Sequence, residues 1–78
     1  MKKSKAPTFI GRNGTLHWII DGISHRIDGP AFIDSNGDCF WYKNGERHRE
    51  GGPAIELANG EKEWWVDGKF VRDNYAQT

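Results

Sequence analysis

Apolar and polar positions alternate along this chain in short runs, most of them closed by a glycine-containing pair. Residues 16–20, 39–43 and 62–66 are rich in β-branched and aromatic side chains, and an Asp-Gly or Asn-Gly pair follows each run. Shorter runs at 23–27, 46–49 and 69–72 come after those pairs, and a third set at 8–11, 31–34 and 54–57 precedes Asn13-Gly14, Asn36-Gly37 and Asn59-Gly60. Period-two alternation bounded by turn residues predicts strands, and no stretch sustains a helical period. Asn-Gly and Asp-Gly predict type I′ hairpin turns, which need positive φ at both central residues. Pro30 and Pro53 cannot donate to a ladder and belong at strand starts. The pattern as a whole predicts an antiparallel meander of roughly seven to nine short strands.

The pattern repeats. Pro7/Pro30/Pro53, Asn13/Asn36/Asn59, Gly14/Gly37/Gly60, Trp18/Trp41/Trp64, Gly22/Gly45/Gly68 and Arg26/Arg49/Arg72 recur every 23 residues without an insertion. The units are 7–29, 30–52 and 53–75 of a single domain, with a basic leader at 1–6 and a tail at 76–78. Within each central strand, alternation puts Trp18, Trp41 and Trp64 on one side and Ile19, Phe40, Tyr42 and Trp65 on the other. We expect the tryptophan side to be core, with Phe9, Phe32 and Ile55 as a second apolar row. Phe40, Tyr42 and Trp65 would then form an exposed aromatic strip, the kind of surface that marks interaction sites.

Composition narrows the function. The 78 residues hold eleven basic and eleven acidic side chains. That balance argues against a nucleic-acid mimic and against a strongly basic nucleic-acid binder. Cys39 is the single cysteine, so no internal disulfide can form and a reducing compartment is expected. No apolar run of secretory length follows Lys2, Lys3 and Lys5, and none approaches the roughly 20 residues of a membrane span. A soluble, cytoplasmic protein is expected.

Little in the chain points to catalysis. Ser24 and Ser35 lie in no nucleophile motif, and the glycines serve turns rather than a phosphate loop. No catalytic residue, metal or cofactor is assigned, and the chain is read as not an enzyme. His25 and His48 are equivalent but would stand roughly 10 Å apart, two strand spacings, too far to share one metal ion. Hydrogen bonds to turn backbone are the expected role. Arg26, Arg49 and Arg72 each have an acid within two residues (Asp28, Glu50, Asp73), so local pairing is expected, with a row of forks offered to carboxylates or phosphates as the alternative. Trp18, Trp41, Trp64, Arg26, His25 and His48 are therefore read as a structural ladder.

The unit Trp-x-x-Asn-Gly-x-x-His-Arg-x-x-Gly-Pro-Ala, clearest from Trp41 to Ala54 and again from His25 to Ala31, resembles MORN repeats. It is most similar to a divergent form found in phage and giant-virus proteins. The resemblance covers 7–75. It departs where arginine follows the histidine in place of glycine, and where Val71 and Asn74-Tyr75 replace the histidine and the Gly-Pro approach in the last unit. It implies an all-β fold of three tandem hairpin repeats stacked into one twisted antiparallel sheet, a small solenoid used for protein–protein contact. It also implies a phage accessory protein, working in the host cytoplasm, that binds and modulates a host protein such as a defence factor. Contact is expected through Phe40, Tyr42, Trp65, Arg47 and Arg49. Two alternatives stand beside it: lipid-headgroup or nucleic-acid binding through the lysine leader and the arginine row, and self-association through open sheet edges.

Overall fold

In a computed structural model, residues 6–75 are described. They are all β, with eleven short strands and no helix among them. The strands are β1 (Phe9–Ile10), β2 (Leu16–His17), β3 (Ile19–Ile20), β4 (Ile23–Ser24), β5 (Phe32–Ile33), β6 (Cys39–Phe40), β7 (Tyr42–Lys43), β8 (Glu46–Arg47), β9 (Ile55–Glu56), β10 (Lys62–Val66) and β11 (Lys69–Asp73). One antiparallel sheet runs β1-β2-β5-β6-β9-β10-β11, and two small hairpins, β3-β4 and β7-β8, stand beside it. The large sheet is not curled.

The expected single sheet thus divides into three, because two of the central strands bend. Residues 16–20 and 39–43 break at Trp18 and Trp41. In a straight strand the N–H and C=O of one residue point to the same neighbour. At these tryptophans they part company: Trp18 N–H donates to the Ala31 carbonyl at 2.8 Å, while its own carbonyl accepts from His25 N–H at 3.0 Å. Trp41 does the same with Ala54 and His48, at 2.7 and 3.1 Å. The third unit bends less. There β10 continues through Trp64, and the irregularity is a bulge in its pairing with β11 between Trp64 and Trp65, which leaves Val71 as the extra residue.

Two kinds of turn close the hairpins. Asp21, Asn44 and Asp67 hold φ near +50° (52, 53 and 51°) and are followed by glycines at 77, 82 and 77°, the type I′ turn expected there. The Asn-Gly pairs at 13–14, 36–37 and 59–60 are not of that type. Only their glycines have positive φ (94, 96 and 96°), and Gly14 N–H bonds the Gly11 carbonyl at 3.0 Å inside a Gly11–Thr15 closing bond of 2.7 Å. This is a type I turn followed by a left-handed glycine. Side-chain acceptors explain the difference: Asn13 and Asn59 take the N–H two residues on, while in the middle unit Asp34 takes those of Asn36 and Asp38.

The core is thin and follows the repeat. Trp18, Ala31, Ala54 and Ile55 are buried, and His48 is the one buried polar residue among those described. Trp41 and Trp64 are only half-buried. Their remaining faces are covered by arginines, not by apolar residues: the guanidinium carbons of Arg26, Arg49 and Arg72 lie 4.0, 3.9 and 3.8 Å from the ring centres of Trp18, Trp41 and Trp64. A second row crosses the main sheet as paired residues: Phe9, His17, Phe32, Phe40, Ile55 and Glu63. Ring centres along it lie 5.4, 4.8 and 5.4 Å apart from Phe9 to Phe40.

Candidate interaction site

The side hairpins stack on one another through a repeated set of bonds. Arg26 N–H donates to the Tyr42 carbonyl and Gly45 N–H to the Ser24 carbonyl, at 3.1 and 2.9 Å. One unit on, Arg49 N–H donates to Trp65 and Gly68 N–H to Arg47, again at 3.1 and 2.9 Å. The remaining orphan of each turn goes to a histidine: Asn44 N–H donates to His25 Nδ1, and Asp67 N–H to His48 Nδ1, both at 2.9 Å. Accepting at Nδ1 puts the proton of the neutral ring on Nε2. In His48 that atom lies 3.5 Å from the Glu50 carboxylate. No group of three or more His, Cys, Asp or Glu residues suited to a metal occurs among the described residues.

Two arginines of the row make polar contacts within the chain, while Arg72 is exposed, lies on Trp64 and makes no ion pair with Asp73. Arg26 donates to Asp28 and to the Pro30 carbonyl, each at 3.1 Å. Arg49 donates to the Pro53 carbonyl at 3.0 Å and lies 3.5 Å from Glu56, not against the neighbouring Glu50 expected from sequence. Both side chains cross over glycine to get there. A Cβ on Gly52 would stand 2.8 Å from the Arg49 guanidinium carbon. The Gly-Pro pair therefore serves as the bed of the arginine as well as a break in the chain. Lys2, Lys3 and Lys5 lie outside the described residues.

The five residues expected to bind a partner do not form one patch. Tyr42, Arg47 and Trp65 come together, Tyr42 and Arg47 as a directly opposed pair of β7 and β8. The Arg47 guanidinium lies 4.7 Å from the Trp65 ring centre and 5.9 Å from that of Tyr42. Phe70, opposed to Trp65, closes the group edge-on at 5.5 Å and is 51% exposed. Phe40 sits instead in the main-sheet row against Phe32, and Arg49 lies on Trp41. The corner at Trp41 separates Phe40 from Tyr42. The strip is also half-buried rather than exposed, since each ring is partly covered by its neighbours.

Glu63 anchors the far side of this group. Its carboxylate accepts from Trp65 Nε1 at 2.8 Å and from the Tyr75 hydroxyl. The Tyr75 bond is the largest influence holding the Glu63 carboxyl below its usual value, with smaller help from Trp65 and the Arg47 charge against the opposing effect of burial. The same bond pushes the Tyr75 phenol up to about 12. Burial first, then Glu56, Asp34 and Asp38, raise the Cys39 thiol above its usual value.

The five expected contact residues leave out two features. Phe70, which the sequence places near the aromatic strip across a turn and at a position where the units disagree (Ser24, Arg47, Phe70), completes the aromatic group. A half-open depression of about 240 Å³ also forms between the first and second units, lined by Arg26, Ile27, Trp41, Lys43, His48, Arg49 and Glu50. Its signal was Lys43, which stands where the other units carry Ile20 and Val66.

Comparison with known protein families matched no family model, and comparison with curated proteins and with solved structures found none similar to this chain. No helix among the described residues is long and apolar enough to cross a membrane.

Proposed function

We propose that this chain is a small non-enzymatic binding module that recognises a protein partner through the Tyr42, Arg47, Trp65 and Phe70 group. The observation that carries this reading is the composition of that group: an arginine set against two aromatic rings, with a third, exposed ring at its border. Trp, Tyr and Arg dominate binding hot spots because they offer large, stiff contact areas with polar handles. Three stacked MORN-like units support the group, the first and second each taking up turn donors of the next. Kinship with the phage form extends the proposal to a viral accessory protein that acts in the host cytoplasm by occupying a surface of a host protein, a defence factor among the possible targets.

The nucleic-acid and lipid alternative is less well supported, because Arg26 and Arg49 spend their donors inside the chain. Affinity capture from a bacterial lysate tests the main reading. The captured protein, once purified, should bind the native chain and lose at least tenfold in affinity to Trp65→Ser, with folding checked by circular dichroism. Binding insensitive to Trp65, or binding that collapses between 50 and 200 mM salt as phosphate contacts do, would overturn it.

A further inference from the structure

Arg47 differs from the other half-buried arginines. Arg26 and Arg49 each hold a carboxylate and a backbone carbonyl. Arg47 has neither: among the described residues no carboxylate lies within ion-pair distance of it, and its Nη2 makes one long bond of 3.4 Å to the Tyr42 hydroxyl. Its Nε is buried and has no acceptor. A guanidinium carries five donors in a planar fork, and leaving a charged group's donors unmet inside a protein is costly. The two rings stabilise the cation from its faces, yet a ring quadrupole accepts none of the in-plane N–H bonds.

From this we infer that the Tyr42, Arg47 and Trp65 group is a receptor for a single carboxylate, an Asp or Glu side chain of the partner with apolar neighbours that settle on Trp65 and Phe70. The inference rests on the proposed binding function and specifies what that site takes. A carboxylate matches the planar fork in two parallel bonds. One side chain fits better than a polyanion. Nucleic acids and lipid surfaces demand several cations together, whereas Glu46 precedes this arginine on β8 and the Glu63 carboxylate is held on Trp65, the ring the arginine lies against. Those same acids repel an extended anion but tolerate one carboxylate that lands on the fork.

Random twelve-residue peptides displayed on phage and selected against the full chain provide the test. The selected peptides should share an Asp or Glu beside an aromatic or large aliphatic residue. As synthetic peptides they should lose at least tenfold in affinity when that acid becomes Asn or Gln. Arg47→Gln should lose a similar factor, and should lose no more against the already neutralised peptide. Arg47→Lys should recover part of the loss, since it keeps the charge but not the fork. Thermal melting of both variants checks that they fold. Selected peptides without a shared acid, or equal binding by Arg47→Gln, would overturn the carboxylate receptor while leaving a protein-binding role intact. Arg47-dependent binding to a dT oligonucleotide or to phosphatidylserine vesicles in place of acidic peptides would overturn it in favour of a phosphate site. Failure to select any peptide would count against both readings.

Discussion

At the scale of single residues, the repeated identities turn out to divide the labour of one contact. Trp41 supplies a ring, Arg49 covers it, Gly52 lets the arginine pass and Pro53 receives its hydrogen bond. Removing the ring therefore removes several partners together. Trp41→Ala should cost about 3 kcal/mol or more, a large share of the stability open to so small a domain. Urea unfolding followed by circular dichroism should show a broad, early transition, while Lys43→Ala, which alters an exposed position, should leave the midpoint close to native. The two histidines separate by burial. His48→Ala leaves Asp67 N–H without its acceptor in a half-buried place and should cost about 1–2 kcal/mol, whereas His25→Ala, whose bond to Asn44 is exposed, should cost less. Urea midpoints measured with unchanged slope would verify the order. The identities were plain in the sequence, and so was a backbone role for the histidines. The Arg49 carbonyl partner was not, because the adjacent Glu50 looks like a nearer match than a carbonyl four residues on.

At the scale of elements, turn chemistry was legible only where a glycine pair had no competing acceptor. Asn44-Gly45 follows the two-residue rule. Asn59-Gly60 does not, because the asparagine side chain accepts from Glu61 N–H and holds its own backbone out of the left-handed region. The bends at Trp18 and Trp41 were not readable from alternation, which records the side each residue faces but not which neighbour its backbone chooses. That blindness explains why Phe40 was grouped with Tyr42 and Trp65, which meet at Arg47 without it. The hairpins can be tested as stacked elements. Gly22 and Gly45 hold similar φ (77 and 82°), but a Cβ on Gly22 meets nothing within 4 Å, while one on Gly45 would stand 2.8 Å from Ile23 Cγ2. Both alanine substitutions should destabilise through backbone strain of about 1 kcal/mol. Gly45→Ala should cost more, and the excess in thermal midpoint should shrink when Ile23 is also made alanine.

At the scale of the whole molecule, the chain is elongated, 41 × 27 × 20 Å, and its end units are finished differently. In the first, the Thr8 hydroxyl donates to the Ile19 carbonyl and accepts from Ile19 N–H, occupying backbone that in the second unit, at Tyr42, receives Arg26. In the last, Tyr75 reaches back to Glu63. That closure sets a pH window. Glu63 titrates lower in the folded state, so its contribution is present above the ordinary carboxylate range and fades as pH falls through its folded value. Tyr75 titrates higher, so its contribution is present below about 10 and is lost as pH rises through about 12. Tyr75→Phe should be less stable than the native chain at neutral pH, and the gap should narrow at both extremes. Denaturant midpoints from pH 3 to 11 would reveal that shape, and a constant gap would contradict it.

The histidine-to-turn bonds run one way along the chain: His25 serves Asn44, His48 serves Asp67, and at the third place stands Val71, which can accept nothing. The bonds therefore act as a direction of growth. A duplicated copy of residues 30–52 inserted after position 52 would find a histidine behind it and supply one ahead, and the longer chain should unfold at higher denaturant. The same copy appended after Tyr75 would begin its first turn against valine, and should add no cooperative stability. A further unit is thus expected to fit between the second and third, while Val71 leaves the third without a side-chain acceptor for a following turn.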